Sequence, residues 1–232
     1  MEVFNLQAIN IIKEIFIKFY EYLFQLVTIN LFSFLILLLP FSLLAISSVY
    51  FVLFLSILIS LTLAGPVILS GMDYINKILN REDVGIKGFL AGIKVNFLKG
   101  VSSFFFMLVT YLVILLDIYF FMQRSDNFLM MVIGIMFFYI LIFFSLFQFY
   151  FWPLRVMKEL RFFDAVKQAF LLVMDNFLVT FLLFIFILII IIIIIIISLY
   201  VPFIMSFFFI TFLSLTSVIL TRTILEKYKE QE

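Results

Sequence analysis

The last charge-free stretch of the chain, residues 176–221, decides the fold. It reads NFLVTFLLFIFILIIIIIIIIISLYVPFIMSFFFITFLSLTSVILT and includes an unbroken isoleucine run, Ile189–Ile197. About 20 helical residues cross the ~30 Å hydrocarbon core of a bilayer, so the stretch is too long for one span. Pro202 lies near its middle and cannot donate a hydrogen bond within a continuing helix. The sequence therefore predicts two membrane-spanning helices joined by a turn at Ser198–Pro202.

Three further runs of the chain lack charges or nearly so: Tyr22–Met72, Gly100–Gln123 and Asn127–Leu154. The first run is again long enough for a hairpin, and Pro40 and Ser47–Ser48 are the only residues in it that indicate a turn. We predict an all-α polytopic membrane protein, a single integral membrane domain of residues 1–232 with six transmembrane helices arranged as three hairpins. The predicted spans are 21–40, 48–70, 99–121, 128–151, 177–198 and 203–221.

The composition supports a membrane location and excludes much chemistry. Of the 232 residues, 67% are apolar and only 12% are charged, which is about half the charge that a soluble domain carries. The chain contains no Cys and no His, so disulfides, thiolate nucleophiles, zinc fingers and His-based triads are excluded. The net charge of +1 gives no reason to expect nucleic acid as a partner. We predict no catalytic residue, no cofactor and no metal site.

Two other interpretations of the apolar sequence fail on pattern. A transmembrane β-barrel would alternate apolar and polar residues, and Ile189–Ile197 does not alternate. The N-terminus does not resemble a cleaved signal peptide, because acidic residues alternate with Lys13 and Lys18 and no small-residue cleavage site follows.

The distribution of basic residues predicts the orientation, since Lys and Arg are retained on the cytoplasmic side. With six spans, every basic residue except Arg124 falls on the side that holds both termini and the two long loops. The acidic residues follow the same division, apart from Asp117 and Asp126. We therefore predict a cell-membrane protein with both termini in the cytoplasm and only three short turns outside.

The long cytoplasmic loops resemble each other at an offset of about 80 residues. The segments 83–97 and 164–176 each place apolar residues on one helical face, and each closes on Asn-Phe-Leu. A fainter copy is the segment 4–20, and Asp83 and Asp164 are the predicted N-caps of the later two. We predict that these three segments are interfacial amphipathic helices. Each has a buried face, marked by Phe16, Leu90 and Phe170, and a face exposed to water, marked by Lys13, Lys87 and Lys167. Together with the hairpins they suggest parallel repeats 4–72, 83–152 and 164–221, although any loop that feeds a span tends to become such a helix.

A few polar residues in or next to the spans are candidates for function or for helix packing. Asp117 is the one ionisable residue inside a span, and its position near the outer end also fits a plain interfacial site. Amide side chains in lipid seek partners on other helices, which favours packing over ligand binding. The amide candidates are Gln25, Asn30, Gln148, Asn96 and Asn176. The pairs Gly65–Pro66 and Trp152–Pro153 are predicted to end spans at the cytoplasmic face, with Trp152 as an interface anchor.

Several of these segments together resemble the YesL family of bacterial integral membrane proteins. They are Ala64-Gly65-Pro66, Asn80-Arg81-Glu82-Asp83, Asn96-Phe97-Leu98, Trp152-Pro153, Ala165–Ala169 and Asp175-Asn176-Phe177. The resemblance extends from about Phe16 to Leu220, and the Phe- and Ile-rich composition is its main departure. The family is a domain of unknown function whose members tend to accompany carbohydrate-uptake and polysaccharide-utilisation systems. The resemblance thus implies an association but no activity.

Two functional hypotheses of different kinds follow. The first is a non-catalytic accessory component of carbohydrate uptake or utilisation that works in the bilayer through contacts with transporter subunits or with a second copy of itself. The second is a substrate-binding membrane subunit of a small-molecule transporter, such as the six-span binding subunit of a vitamin transporter. That hypothesis expects polar groups in the outer halves of the spans. A purely structural bilayer protein would have neither partner nor ligand.

Overall fold

The computed structural model describes residues 2–45, 50–124, 127–200 and 204–229, and within them all regular secondary structure is helical. The helices in chain order are α1 (Glu2–Glu21), α2 (Leu23–Leu38), α3 (Tyr50–Leu79), α4 (Ile86–Val95), α5 (Phe97–Met122), α6 (Phe128–Met157), α7 (Phe162–Asp175), α8 (Phe177–Ser198) and α9 (Ile204–Lys229). A 3₁₀ segment, Leu39–Ala45, extends α2.

Five helices among the described residues are long and apolar enough to cross a membrane: Leu23–Leu44, Tyr50–Leu79, Phe97–Met122, Phe128–Met157 and Phe177–Ser198. The prediction of an all-helical, multi-pass membrane protein is therefore confirmed. The last of the five has the predicted bounds, whereas α9, which is helical over residues 204–221 of the sixth predicted span, is not one of the five. The predicted turn residues Ser47–Ser48 and Pro202 lie outside the described residues.

The predicted breaks at Gly65–Pro66 and Trp152–Pro153 are wrong. Both prolines lie inside helices, since α3 continues to Leu79 and α6 to Met157. A proline removes one backbone donor, and a helix in a bilayer tolerates that loss where neighbouring helices enclose it. Pro66 and Pro153 are both buried. Trp152 is only 6% exposed, so it is a packed side chain between helices and not an anchor at the protein surface.

The three predicted amphipathic helices are present as α1, α4 and α7. Their predicted N-caps are wrong for the two later helices, because Gly85 precedes α4 and Arg161 precedes α7. Asp164 lies in the first turn of α7, where a carboxylate still interacts favourably with the helix dipole. The lysines Lys13, Lys87 and Lys167 are exposed, as predicted.

The buried face of these helices is displaced by one residue from the prediction. Ile15, Phe89 and Ala169 are at most 1% exposed, whereas Phe16, Leu90 and Phe170 are 49%, 44% and 48% exposed. Adjacent helical residues lie about 100° apart, so both sets belong to one broad apolar stripe. One flank of the stripe contacts the helix bundle, and the other flank faces away from it.

The helices pack in a cyclic pattern when the chain is divided into the units α1–α3, α4–α6 and α7–α9. The last helices of the units, α3, α6 and α9, contact one another at the centre. Each of these three helices also contacts the first two helices of the next unit: α3 contacts α4 and α5, α6 contacts α7 and α8, and α9 contacts α1 and α2. An additional contact between α1 and α8 departs from this threefold cycle.

The joint between the first two helices has the same form in each unit. The joint residues are Tyr22, Asn96 and Asn176, with φ/ψ of −108°/18°, −91°/8° and −122°/31°. In each case the amide N–H of the joint residue donates to the carbonyl four residues earlier, and its own carbonyl accepts from the amide four residues later. The chain therefore bends at each joint without losing the helical hydrogen-bond ladder. The second and third joints are 80 residues apart, which matches the offset between the two long loops.

Candidate functional site

A cavity of about 190 Å³ lies between the three central helices α3, α6 and α9. The cavity wall formed by α3 is apolar, whereas the walls formed by α6 and α9 include polar side chains. Residues that line it include Ile68 and Met72 from α3, Gln148 and Trp152 from α6, and Ser214 and Ser217 from α9. Because each unit supplies one wall, the cavity lies at the centre of the cyclic arrangement. Here the predicted polar candidate Gln148 lies near two serines of α9.

Gln148 is held in place by a hydrogen-bonded chain that joins α6 to α5. Its amide nitrogen donates to the Tyr111 hydroxyl at 2.8 Å, and the Tyr111 and Ser145 hydroxyl oxygens are 3.2 Å apart. Ser145 in turn donates to the Leu141 carbonyl of its own helix at 2.9 Å. The amide nitrogen of Gln148 thus helps to hold α5 and α6 together. Gln148 also lines the cavity.

Other buried polar side chains also join one helix to another. The Tyr150 and Thr180 hydroxyl oxygens are 2.7 Å apart, which links α6 to α8. Thr221 donates to the Phe149 carbonyl at 3.2 Å and links α9 to α6. These bonds satisfy groups that would otherwise be costly in a hydrocarbon environment, so their first effect is to hold the bundle together.

Arg155 is buried at the end of α6, with 5% exposure. Its Nε donates to the Ser103 hydroxyl at 3.3 Å, its Nη1 donates to the Leu160 carbonyl at 2.8 Å, and its guanidinium lies 5.8 Å from the Phe162 ring centre. Among the described residues it has no carboxylate partner within salt-bridge distance. Arg155 therefore ties α5 to the α6–α7 loop through neutral oxygens.

A second, more polar groove of about 270 Å³ lies at the ends of the same three helices. Arg222 bridges its two sides, since Nη1 donates to Asn80 Oδ1 at 3.1 Å and Nε to Glu226 Oε1 at 3.0 Å. Lys158 and Lys229 stand at the rim. Three helix C-termini meet here, and basic side chains compensate the negative ends of their dipoles.

The two joint asparagines differ in their surroundings although both are buried. The Asn176 amide donates to the Leu172 carbonyl and to the Tyr228 hydroxyl, both at 3.2 Å, and the Tyr228 hydroxyl donates to Asp175 at 3.2 Å. Burial, as the main cause, raises the pKa of the Tyr228 phenol above its ordinary value. The Asn96 side chain has no hydrogen-bond partner among the described residues.

The remaining predicted candidates do not join the cavity. Asn30 is buried on α2 and accepts from the Thr211 amide of α9 at 3.1 Å, a packing contact. Gln25 is exposed on α2, and no hydrogen bond joins its side chain to another described helix. Asp117 is half-exposed near the end of α5 and has no hydrogen bond or ion pair within the described part of the chain.

Sequence reasoning missed the serines of α9 and the tyrosine of α5. Ser214, Ser217 and Thr221 recur at spacings of three and four residues, so they form one small polar face of an apolar helix. That pattern could have indicated an interior face of α9. Tyr111 gave no comparable signal, because a tyrosine in a span is also common at a lipid-facing position.

Comparisons of the chain with protein-family models, with curated proteins and with solved structures find no match. The fold itself defines the class, a multi-pass helical membrane protein with a cavity between three central helices.

Proposed function

We propose that the protein is a non-catalytic, six-span component of the cell membrane, with both termini in the cytoplasm, that assists carbohydrate uptake or utilisation. It works through noncovalent contacts with transporter subunits or with a second copy of itself. The proposal includes three parallel repeats, each an amphipathic helix followed by a hairpin.

The observation that carries the proposal is how the interior polar side chains are used. Tyr111 with Gln148, Tyr150 with Thr180, and Thr221 with the Phe149 carbonyl all form bonds from one helix to another. Groups that hold helices together are not arranged as a nucleophile with a base or as paired carboxylates. This supports a role in binding or assembly.

The orientation rests on the charges at the helix ends. Lys87 on α4 and Lys167 on α7 are exposed, and both helices adjoin the ends of the central helices that carry the other basic residues. The cyclic packing and the matching joints support the repeats. The link to carbohydrate systems rests on the YesL resemblance of segments such as Asn80–Asp83 and Asp175–Phe177.

A second candidate, a substrate-binding membrane subunit, is favoured by the cavity beside Gln148 and Trp152. These residues lie in the last third of α6, which the proposed orientation places in the inner half of the bilayer. The vitamin-transporter type of subunit requires polar groups in the outer half. The cavity therefore supports small-molecule binding of a different kind.

Affinity purification in mild detergent from the native host tests the accessory role. We expect a transporter subunit or another carbohydrate-related protein to be recovered with the wild-type chain. Lys87→Glu and Lys167→Glu, which reverse exposed charges on the proposed cytoplasmic face, should reduce recovery several-fold. Arg124→Glu is the matched control on the opposite side and should retain the partner. Recovery of no such protein under several detergent conditions would contradict the proposal.

A further inference from the structure

We infer that the cavity between α3, α6 and α9 is a binding site for a small uncharged molecule with an apolar body and one hydroxyl or amide end. This inference concerns the interior of the bundle and does not depend on a partner in carbohydrate uptake. It rests on the unpaired polar groups of the cavity, on its lining and on its size.

Three polar groups of the cavity have no hydrogen bond to a described residue, whereas the Ser217 hydroxyl donates to the Leu213 carbonyl at 2.9 Å and the Gln148 nitrogen to Tyr111 at 2.8 Å. Ser214 is 2% exposed, and its hydroxyl has no hydrogen bond to any described residue. The indole N–H of Trp152 and the amide oxygen of Gln148 likewise have no partner within the described part of the chain. Among the described residues, the fully enclosed side-chain atoms without a partner belong to Ser33, Ser70 and Thr211, so the three groups named above remain accessible from the cavity. A ligand with one donor and one acceptor in its polar end would satisfy them.

The lining decides the charge and shape of the ligand. No described residue that lines the cavity carries a charge, and Ile68 and Met72 form an apolar wall opposite the polar groups. An ionised ligand would lose its hydration without gaining a counter-ion, which strongly disfavours it. A neutral molecule can place its polar end against α6 and α9 and its apolar body against α3.

The size of the cavity limits the ligand further. Its volume of about 190 Å³ is smaller than the sites of drug-sized ligands, which start at about 300 Å³. At ~30 Å³ per water molecule, it corresponds to roughly six waters. A six-carbon alcohol is therefore a suitable probe, and its carboxylate analogue tests the exclusion of charge.

The protein supplies its own reporter, because Trp152 is the single tryptophan of the chain and lines the cavity. The full-length protein in nanodiscs of phosphatidylcholine is titrated at pH 7 with 1-hexanol and, separately, with sodium hexanoate. We expect a saturable shift of the Trp152 emission with hexanol and none with hexanoate. Two results would overturn the assignment. One is a Trp152 emission shift that increases linearly with the hexanol concentration and does not saturate, and the other is an equal, saturable shift with hexanoate.

Variants that keep Trp152 separate cavity binding from partition into the bilayer. Ser214→Ala and Gln148→Leu each remove one polar group, so the apparent Kd for hexanol should rise about fivefold in each. Ser102→Ala and Gln25→Leu are the matched controls, since both side chains are exposed on helices away from the cavity. Unchanged binding in both cavity variants would contradict the site. If a cavity variant fails to fold, the comparison of hexanol with hexanoate on the wild-type protein still decides.

Discussion

Two glycines set the distance between α3 and α5. A Cβ atom added at Gly65 would collide with the carbonyl of Gly100, and one added at Gly100 would collide with the backbone at Pro66. Small residues allow helix backbones to approach closely in a membrane, where such packing replaces the hydrophobic effect as the driving force. The role of Gly65 is therefore close packing, which a sequence pattern of Gly before Pro does not distinguish from helix termination.

Substitution of Gly65 by Ala should destabilise the protein strongly. The clash is with backbone, which cannot move away as a flexible side chain would, so we expect a loss of about 3 kcal/mol. Gly71→Ala is the control on the same helix, because its added Cβ meets no described atom within 4 Å. Thermal unfolding in detergent, followed by Trp152 fluorescence, measures both. Equal melting temperatures for the two variants would contradict the close approach.

Arg155 should not tolerate replacement by Lys. The guanidinium reaches the Ser103 hydroxyl and the Leu160 carbonyl at once, and a single ammonium cannot match that fork. We expect Arg155→Lys to lower the stability by about 1–3 kcal/mol. Arg161→Lys changes an exposed arginine a few residues away and should leave the melting temperature within experimental error. Equal melting temperatures for Arg155→Lys and Arg161→Lys would show that the two hydrogen bonds of the Arg155 guanidinium do not stabilise the protein.

At the level of elements, the sequence predicted which segments are helices but not how they face one another. Apolar periodicity indicated α1, α4 and α7, and absence of charge indicated the spans. The flank that packs could not be chosen, because Phe89 and Leu90 are both apolar and differ only in their angle around the helix. The cavity was equally inaccessible, since it depends on the relative rotation of three helices far apart in the chain. Of the residues that line the cavity, the sequence singled out only Gln148 and Trp152. Trp152 was predicted to be an interface anchor, which is wrong.

The joints between amphipathic and spanning helices provide a test at this scale. Asn176 and Asn96 occupy equivalent joints, but only the Asn176 amide has hydrogen-bond partners in the described residues. Asn176→Ala should therefore lower the stability by about 1–2 kcal/mol, and Asn96→Ala by much less. Thermal unfolding of both variants under identical detergent conditions provides the comparison. A larger loss at Asn96 than at Asn176 would show that the side-chain bonds do not stabilise the joint.

For the whole molecule, the cyclic packing gives the three amphipathic helices equivalent places against the central helices. Each amphipathic helix lies against the last helix of the preceding unit in the cycle, as α4 does against α3, α7 against α6, and α1 against α9. If the units are parallel repeats, these three helices must all lie on one side of the membrane. The proposed contacts with partners and the placement of the cavity in the inner half of the bilayer both depend on this orientation.

Cysteine accessibility in intact cells tests that orientation directly, because the chain has no cysteine to remove. Single cysteines are placed at Lys87, Lys167 and Lys227 on the proposed cytoplasmic side and at Ser125 on the opposite side. We expect the first three to resist a membrane-impermeant thiol reagent until the cells are permeabilised, and Ser125→Cys to react from outside. Labelling of the three cytoplasmic positions in intact cells, with protection of Ser125→Cys, would contradict the topology and the function proposed from it.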